Sequence, residues 1–246
     1  MTRTGAGEAP LTLLAPAKLT LSLRITGVRD DGYHLIDAEM VSVDLYDRIE
    51  LDPGGDVFTV VRDGVAEPGS PDDLVQQALR AARRRAGIEL HKHIPAGAGL
   101  GGGSSDAAAV LRWAGVDDLE LAARIGADVA FCLRGGRARV QGIGEIVEPL
   151  PFEAGTFTLL TPPVHASTPV VYRCWDDMGG PRNEVGDNDL EPAALEAYPQ
   201  LGEWRDELER VSGRRPRLAG SGSTWFVEGA HPGPGRKVVS TLPSGR

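Results

Sequence analysis

A glycine-rich segment from Pro95 to Asp106 has the residue types and spacing that could bind a phosphate group. It reads Pro-Ala-Gly-Ala-Gly-Leu-Gly-Gly-Gly-Ser-Ser-Asp and runs directly into an alanine-rich stretch of helical character. Glycine lets the backbone approach a ligand closely, and the free N–H groups and dipole of a helix N-terminus favour an anion. The residues expected to form this phosphate cradle are Pro95, Gly97, Gly99, Leu100, Gly101, Gly102, Gly103, Ser104 and Ser105. The pattern predicts a nucleotide site.

Three other interpretations fit part of the same segment. It could be a flexible loop followed by an ordinary Ser or Asp N-cap. A Walker A loop needs a lysine after its last glycine, and Ser104 stands there instead. The letters from Gly97 to Gly102 match the dinucleotide fingerprint, but the preceding residues 89–94 alternate polar and apolar, unlike a buried parallel strand. The segment therefore favours ATP over NAD.

Apolar periodicity predicts the elements that must hold this cradle. Strands are expected over residues 11–25, 40–51, 57–61, 137–141, 146–150, 156–161 and 225–227. Helices are expected over residues 72–86, closed by Gly87, and over 104–113, 117–126 and 192–211. A loop from Gly27 to His34 joins the first two strands, and a second glycine-rich loop spans Leu218 to Ser223. Because strands and helices do not alternate regularly, the fold class is α+β.

Composition indicates a globular protein with a small-molecule ligand. A chain of 246 residues, 41% hydrophobic and 25% charged, can hold one large or two modest domains. The formal net charge of −9 disfavours nucleic acid as a partner. No apolar run approaches the roughly 18 residues needed to span a membrane.

Three remaining features concern location, cysteines and the tail. The first ten residues, Met1 to Pro10, lack the apolar stretch of a secretory leader, so a cytoplasmic location is expected. Cys132 and Cys174 are too few for a disulfide framework and are expected to be reduced and structural. The tail from Gly229, rich in proline and glycine, has little core-forming content and is expected to be loosely ordered.

Four segments taken together resemble the GHMP small-molecule kinases in order and spacing. They are Ala15-Pro16-Ala17-Lys18-Leu19, Gly32-Tyr33-His34, the glycine-rich segment, and Gly126-Ala127-Asp128-Val129. The resemblance implies an N-terminal domain like ribosomal protein S5 domain 2 over residues 1–152 and a ferredoxin-like domain over residues 153–246. It also implies an active site in the cleft between them, with ATP and Mg²⁺ as cofactors and a monomer or weak homodimer.

The same resemblance implies two catalytic residues. Phosphoryl transfer to an alcohol needs an acceptor for the hydroxyl proton and cations near the phosphates. Asp128 corresponds to the base, and Lys18 beside it would keep that carboxylate ionised and orient the hydroxyl. Ser104 or Ser105 is expected to contact Mg²⁺ or a phosphate oxygen. Taken alone, Asp128 would be interpreted as a turn or cap residue, and Lys18 as a surface residue.

The form of the Tyr33-His34 segment resembles the members that act on a cytidine-diphosphate-linked methylerythritol, at its 2-hydroxyl, in non-mevalonate isoprenoid synthesis. Tyr33 and Tyr172 correspond to aromatic residues against the cytosine, and His34 to a residue that hydrogen-bonds the base. The remaining expected substrate-binding residues are Thr20, Gly220, Ser221 and Gly222.

Two departures from the family pattern leave alternatives open. Thr20 stands where asparagine is usual and reaches less far, and Asp73 stands where an asparagine near the adenine is common. One alternative is a GHMP kinase with another acceptor, namely homoserine, mevalonate or a sugar. The other is a catalytically silent nucleotide-binding homologue.

Overall fold

Two β-sheets with helices packed against them make up the protein in the computed structural model, which describes residues 9–180, 183 and 186–245. The strands are β1 (Leu11–Val28), β2 (His34–Asp52), β3 (Phe58–Arg62), β4 (Val65–Pro68), β5 (Gly87–Lys92), β6 (Arg137–Gly142), β7 (Ile146–Pro149), β8 (Thr156–Leu160), β9 (Arg217–Leu218), β10 (Trp225–Glu228) and β11 (Arg236–Ser240). The helices are α1 (Leu74–Ala81), α2 (Gly102–Trp113), α3 (Leu119–Ile125), α4 (Val129–Arg134), α5 (Thr168–Asp177), α6 (Glu191–Ala197) and α7 (Leu201–Ser212). The predicted α+β class is confirmed. The segment before residue 9, where the sequence predicts no leader, lies outside the described residues.

The first sheet is built around the long strand β2. One edge of β2 pairs with β1 along most of its length, and the other edge pairs with β6 near its start and β5 near its end. All pairs are antiparallel except β3 with β5, which run parallel. The register of β1 shifts between Pro16 and Ala17, directly before Lys18. A β-bulge of this kind bends a strand and re-aims the side chains beside it.

Residues 15–20 of β1 form an unbroken buried run because both faces of the strand are covered. Ala15 belongs to the larger core, which also contains the inner faces of α1, α2 and α4. Ala17 and Leu19 point the other way and pack with Phe157 and Phe226 of the second sheet. Strand β1 therefore lies between the two halves of the molecule, and both cores fix its position.

The second sheet has the strand order β11-β8-β10-β9 and is antiparallel. Its edge strand β11 shows that the prediction of a loosely ordered tail was wrong. Val239 is buried, Thr241 forms a bridge with Val43, and Leu242 N–H donates to the carbonyl of Ser42 at 2.9 Å. The prolines and glycines shape the turn before β11, and pairing with β8 stabilises a strand too short to show clear periodicity.

Several predicted helix boundaries were wrong. Helix α1 ends at Ala81, Arg83 takes φ +53°, and Gly87 begins β5 instead of capping a helix. The predicted helix over residues 192–211 is two helices, α6 and α7. Its break falls at Tyr198, whose backbone leaves the helical region directly before Pro199, as expected for a residue that precedes proline.

Two helices were missed, and one begins earlier than predicted. Helix α4 is only six residues long, and α5 contains Val170, Val171 and Tyr172, residue types more typical of strands. Helix α2 begins at Gly102, two residues before Ser104, because the carbonyl of Gly101 accepts the N–H of Ser105 at 2.9 Å and so closes the first turn over the glycines.

The described part of the chain contains no helix that is both long and apolar enough to cross a membrane. Both cysteines are free thiols, as expected, with Cys132 buried in α4 and Cys174 partly exposed on α5. Burial raises the pKa of the Cys132 thiol well above its usual range. A thiol of this kind is inert, which agrees with a structural role.

Candidate active site

A cleft of about 1300 Å³ is bordered by the glycine-rich segment, the turn before β2, the start of α4 and one face of α5. This exceeds the roughly 300–1,000 Å³ typical of a single small-molecule site, so the cleft has room for two ligands. The sequence-predicted residues on its wall are Lys18, Tyr33, His34, Pro95, Gly97, Gly99, Leu100, Gly101, Gly102, Gly103, Ser104, Asp128, Tyr172, Gly220 and Ser221. Thr20, Ser105 and Gly222 are buried beside it.

The ammonium of Lys18 lies at the centre of this wall. Its Nζ is 3.2 Å from Oδ2 of Asp128, with side-chain exposures of 5% and 32%. The same Nζ donates to Oγ1 of Thr20 at 3.0 Å. The backbone N–H of Lys18 donates to the carbonyl of Leu100 at 3.0 Å, which ties β1 to the glycine-rich segment. A desolvated cation and a half-exposed carboxylate thus meet at the edge of the cradle.

Asp128 is placed by the turn between α3 and α4. It is the N-cap residue of α4, but its carboxylate makes no capping hydrogen bond and remains directed towards Lys18. Arg112 of α2 donates to the carbonyl of Cys132 at 2.6 Å, which holds the C-terminal part of α4. Gly144 contacts the turn itself, so closely that a Cβ there would lie 2.4 Å from the carbonyl oxygen of Ala127.

The glycine-rich segment uses its glycines for close approach. Gly97, Gly99 and Gly101 all have positive φ, a region that other residues rarely adopt. Gly101 is the N-cap of α2 and carries no capping side chain, so the first N–H groups of this 12-residue helix face the cleft. A Cβ on Gly101 would lie 2.7 Å from Cγ of Lys18. Glycine at this position therefore makes room for the Lys18 side chain.

A second glycine loop, residues 218–223, packs directly on the first. A Cβ on Gly99 would lie 2.0 Å from the carbonyl oxygen of Ala219. A Cβ on Gly220 would lie 3.5 Å from Nζ of Lys18, so this loop forms a second wall around the ammonium. Asn188 supports the loop from behind, because its Nδ2 donates to the carbonyls of Leu218 at 2.9 Å and Gly220 at 2.7 Å.

The two adjacent serines occupy different environments. Ser105 is fully buried, and its hydroxyl donates to the carbonyl of Pro16 at 2.6 Å, which fastens α2 to β1 at the register shift. Ser104 lines the cleft. Of the two hydroxyls, only that of Ser104 is therefore placed to meet a ligand.

A buried charge cluster lies at the base of the cradle. Lys92, at the end of β5, pairs with Asp47 and donates to Oδ2 of Asp106 at 2.6 Å. Asp47 also accepts the backbone N–H groups of His93 and Ile94, the residues that lead into the glycine-rich segment. Burial raises the pKa of the Asp106 carboxyl to about 7, although Lys92 opposes this shift. The cluster anchors the entrance of the segment and the second turn of α2.

The aromatic residues lie at another part of the cleft wall. Tyr33 is 60% exposed in the turn before β2. His34 packs on Tyr172, with ring centroids 4.7 Å apart. Burial and the charge of Asp128 raise the pKa of the Tyr172 hydroxyl well above its usual range. The aromatic residues and the Lys18–Asp128 pair line the same cleft.

Two residues at this site were missed in the sequence analysis. Asn188 was not expected at the site, because its hydrogen bonds to the second glycine loop depend on tertiary contacts. Asp176 pairs with His34, with Oδ1 2.8 Å from Nε2, and could have been found only if α5 had been predicted. If α5 had been predicted, Asp176 would have been placed on the same helix face as Tyr172, because it follows that residue by four positions.

The side chains of the site limit how a metal ion could bind. The described ranges contain no group of three or more His, Cys, Asp or Glu side chains arranged to hold a metal ion. Mg²⁺ in nucleotide sites usually has only one or two protein ligands, with phosphate oxygens and water completing its shell. The hydroxyl of Ser104, which lines the cleft, fits that mode of binding.

Comparisons with known proteins identify the class. The family model described as GHMP kinases N terminal domain matches residues 73–136. The solved structure of a homoserine kinase from Cytophaga hutchinsonii has a TM-score of 0.65 and 18% identity, covering 99% of this chain and 98% of its own. At that identity the likeness shows the fold alone. The fold and the cleft define a GHMP small-molecule kinase.

Closer relatives define the family within that class. Proteins named 4-diphosphocytidyl-2-C-methyl-D-erythritol kinase match at 38% identity in Geobacillus thermodenitrificans (strain NG80-2), over 88% of this chain and 87% of theirs, and at 35% in Nitrosospira multiformis (strain ATCC 25196 / NCIMB 11849 / C 71), over 97% and 89%. The chain belongs to the 4-diphosphocytidyl-2-C-methyl-D-erythritol kinase family and is an ATP-dependent phosphotransferase. A crystal structure of 4-(cytidine 5'-diphospho)-2C-methyl-D-erythritol kinase has a TM-score of 0.75 and 31% identity, covering 94% of this chain and 99% of its own.

Proposed function

We propose that this chain transfers the γ-phosphoryl group of ATP to the 2-hydroxyl of 4-diphosphocytidyl-2-C-methyl-D-erythritol. The observation that carries the proposal is the Lys18–Asp128 pair, 3.2 Å apart, at the edge of a glycine-rich cradle in a cleft large enough for two ligands. Family membership supports this choice of acceptor alcohol, since the relatives are named as kinases of this substrate.

In the proposed reaction, Asp128 accepts the proton of the 2-hydroxyl. The hydroxyl oxygen forms a new bond to the γ-phosphorus while the bond to the β-phosphate bridging oxygen breaks, and ADP leaves. Lys18 is close enough to Asp128 to orient the hydroxyl and to offset negative charge during transfer. Positioning and electrostatics supply most of the catalysis in such a reaction.

The donor nucleotide is proposed to lie against residues 95–104. The uncapped N–H groups at the start of α2 and the positive end of its dipole would bind the phosphates. Mg²⁺ is proposed to arrive with ATP and to neutralise charge on the β- and γ-phosphates. Ser104 is the proposed protein ligand for the ion or for a phosphate oxygen, because the Ser105 hydroxyl is already bound to Pro16.

The acceptor is proposed to place its cytosine beside Tyr33, His34 and Tyr172. These side chains line the same cleft as the pair, and the pKa of Tyr172 responds to the charge of Asp128.

Residues 1–152 and 153–246 are proposed as the two domains, with the cytoplasm as the location. Thr20 contacts Nζ of Lys18 through its hydroxyl, so its proposed contribution is to hold that ammonium in place.

A direct assay tests the proposal. The purified chain is incubated with ATP, Mg²⁺ and 4-diphosphocytidyl-2-C-methyl-D-erythritol, ADP formation is followed, and ³¹P NMR identifies the phosphorylated hydroxyl. Asp128→Asn should reduce kcat by about 10³-fold or more, because a general base and a charged partner are lost together. Asp117→Asn, an equal charge change at an exposed loop residue, should leave kcat unchanged.

Two outcomes would favour the alternatives. Turnover of homoserine, mevalonate or a sugar, together with no competition by cytidine nucleotides, would indicate another acceptor. ATP binding without turnover of any of these alcohols would indicate a catalytically silent homologue.

A further inference from the structure

Three residues of α5 surround the imidazole of His34. Tyr172, Trp175 and Asp176 are spaced i, i+3 and i+4, so they share one face of the helix. The ring centroid of His34 lies 4.7 Å from that of Tyr172 and 5.5 Å from that of Trp175, which meets it edge-on. Oδ1 of Asp176 lies 2.8 Å from Nε2 of His34. The two aromatic rings fix the plane of the imidazole, and Asp176 contacts one of its two nitrogens.

This contact decides where the imidazole hydrogen lies. An ionised carboxylate can only accept a hydrogen bond, so Nε2 must donate. In a neutral imidazole the other nitrogen is then an acceptor. Nδ1 of His34 therefore presents a lone pair.

We propose that Asp176 is a positioning residue that holds His34 in the Nε2–H tautomer and thereby makes Nδ1 select cytosine over uracil. The inference rests on the proposed function, in which His34 contacts the base. Cytosine carries an amino group at C4 that donates a hydrogen bond, whereas the 4-carbonyl of the thymine-type ring accepts one. A lone pair on Nδ1 pairs with the amino group and repels the carbonyl oxygen.

The exposure of the pair argues against a mainly structural role. The Asp176 side chain is 47% exposed, whereas that of His34 is only 10% exposed. A polar pair with one partner so accessible to water contributes little to folding stability. The imidazole also has its aromatic neighbours to hold it in place, so the specific effect of Asp176 falls on the hydrogen position.

The tautomer can be read directly in the full-length chain. Long-range ¹H–¹⁵N NMR at pH 8, above the ordinary histidine pKa of about 6.5, distinguishes protonated from unprotonated ring nitrogens, and a His34→Gln variant identifies the His34 signals. The wild type should show hydrogen on Nε2 alone. Asp176→Ala should populate both tautomers, Asp176→Glu should restore the single one, and Asp177→Ala is the matched control on the exposed side of the helix.

Base selection provides the second measurement. Binding of cytidine 5'-diphosphate and uridine 5'-diphosphate is measured by calorimetry for the same variants. Asp176→Ala should lower the cytidine-to-uridine affinity ratio by about tenfold, the effect of one lost polar contact. Asp176→Glu should recover the ratio to within about twofold of the wild type, and Asp177→Ala should not change it.

The outcomes separate the two proposals. A wild type that prefers cytidine while Asp176→Ala leaves tautomer and ratio unchanged overturns the role of Asp176 alone. A wild type that binds both diphosphates equally overturns the base contact on which the proposed function relies. Hydrogen on Nδ1 in the wild type also overturns the role of Asp176, whatever the binding data show.

Discussion

Gly101 and Lys18 are in such close contact that a methyl group on the glycine would lie 2.7 Å from Cγ of the lysine. The glycine also has φ +68° at the N-cap of α2. The start of α2 and the stem of Lys18 thus occupy adjoining space that only a hydrogen atom can fill.

Gly101→Ala is therefore expected to displace Lys18. We expect kcat/KM to fall by about 10²-fold, since a misplacement of about 1 Å can have this effect. Gly115→Ala is the matched control, because Gly115 also has a positive φ, +75°, but no atom lies within 4 Å of the place that its new methyl group would occupy. Both variants should lose about 1 kcal/mol of stability from backbone strain. Equal activity in the two variants would contradict the prediction.

Lys18→Met tests the ammonium itself. Methionine keeps the length of the stem within the buried site but removes the charge 3.2 Å from Asp128. We expect kcat to fall by about 10²- to 10³-fold, the usual effect of losing a group that stabilises transition-state charge. Thr20→Val removes only the hydroxyl that accepts from Nζ and should reduce kcat by about tenfold or less. Steady-state kinetics of both variants measure the difference. A larger loss of kcat in Thr20→Val than in Lys18→Met would contradict the role proposed for the ammonium.

Ser104 and Ser105 should differ in what their removal affects. Ser105→Ala loses a 2.6 Å hydrogen bond to the buried carbonyl of Pro16, so the free energy of unfolding should fall by about 1–2 kcal/mol. Ser104→Ala should leave stability unchanged and raise the KM for ATP by about tenfold, as expected for a lost bond to a charged group. Denaturant unfolding and ATP kinetics on the two variants provide the test. A larger KM effect at Ser105 would reverse the assignment.

The Asp106 carboxyl makes stability depend on pH. Its pKa is raised to about 7 by burial, from an ordinary value of 3.8. Between about pH 4 and 7 the native state therefore binds more protons than the unfolded state, so stability should decrease as pH rises through that window. Asp106→Asn should remove this decrease and stabilise the protein at pH 8 by on the order of 1–3 kcal/mol.

Asp47→Asn is the contrasting variant in the same cluster. Both backbone N–H groups donate to Oδ1, which asparagine keeps, but the new amide NH₂ would face the Lys92 ammonium in place of a carboxylate oxygen. The variant should therefore destabilise the protein by about 2 kcal/mol or more. Denaturant unfolding from pH 4.5 to 8 measures both variants. Destabilisation by Asp106→Asn across the whole range would show that its charge is favourable in the fold.

The last strand offers a test of the C-terminal sheet. Val239 is buried and Val238 is 38% exposed, although they are neighbours in β11. Val239→Asp should destabilise the protein by about 3 kcal/mol or more, because it buries an unpaired charge. Val238→Asp should change stability by about 1 kcal/mol or less. Similar losses for both would mean that β11 does not pair with β8 in solution.

The sequence predicted the parts of the site that depend on local chemistry. Glycines before an alanine-rich helix identified the cradle, and its positive φ values confirm the backbone freedom that was inferred. The resemblance to GHMP kinases identified Lys18 and Asp128, and the fold brings them together. The structure gives these residues their positions, whereas their roles in catalysis remain predictions.

The sequence failed where tertiary contacts override local preference. Val170, Val171 and Tyr172 are typical of strands, but α5 forms because Val171 and Trp175 pack into the main core. Without α5, the partner of His34 could not be found. In the same way, β11 is a weak strand by composition and forms because β8 presents an open edge to it.

The close packing of Gly99 on Ala219 joins two loops that are far apart in the chain. Because the chain itself makes this contact, the fold holds the backbone donors of both loops in place without a ligand, and the proposed nucleotide would need to order them little further. Such preorganisation lowers the entropic cost of recognition. It also couples the two loops sterically, since a larger residue at Gly99 would require the backbone at Ala219 to withdraw.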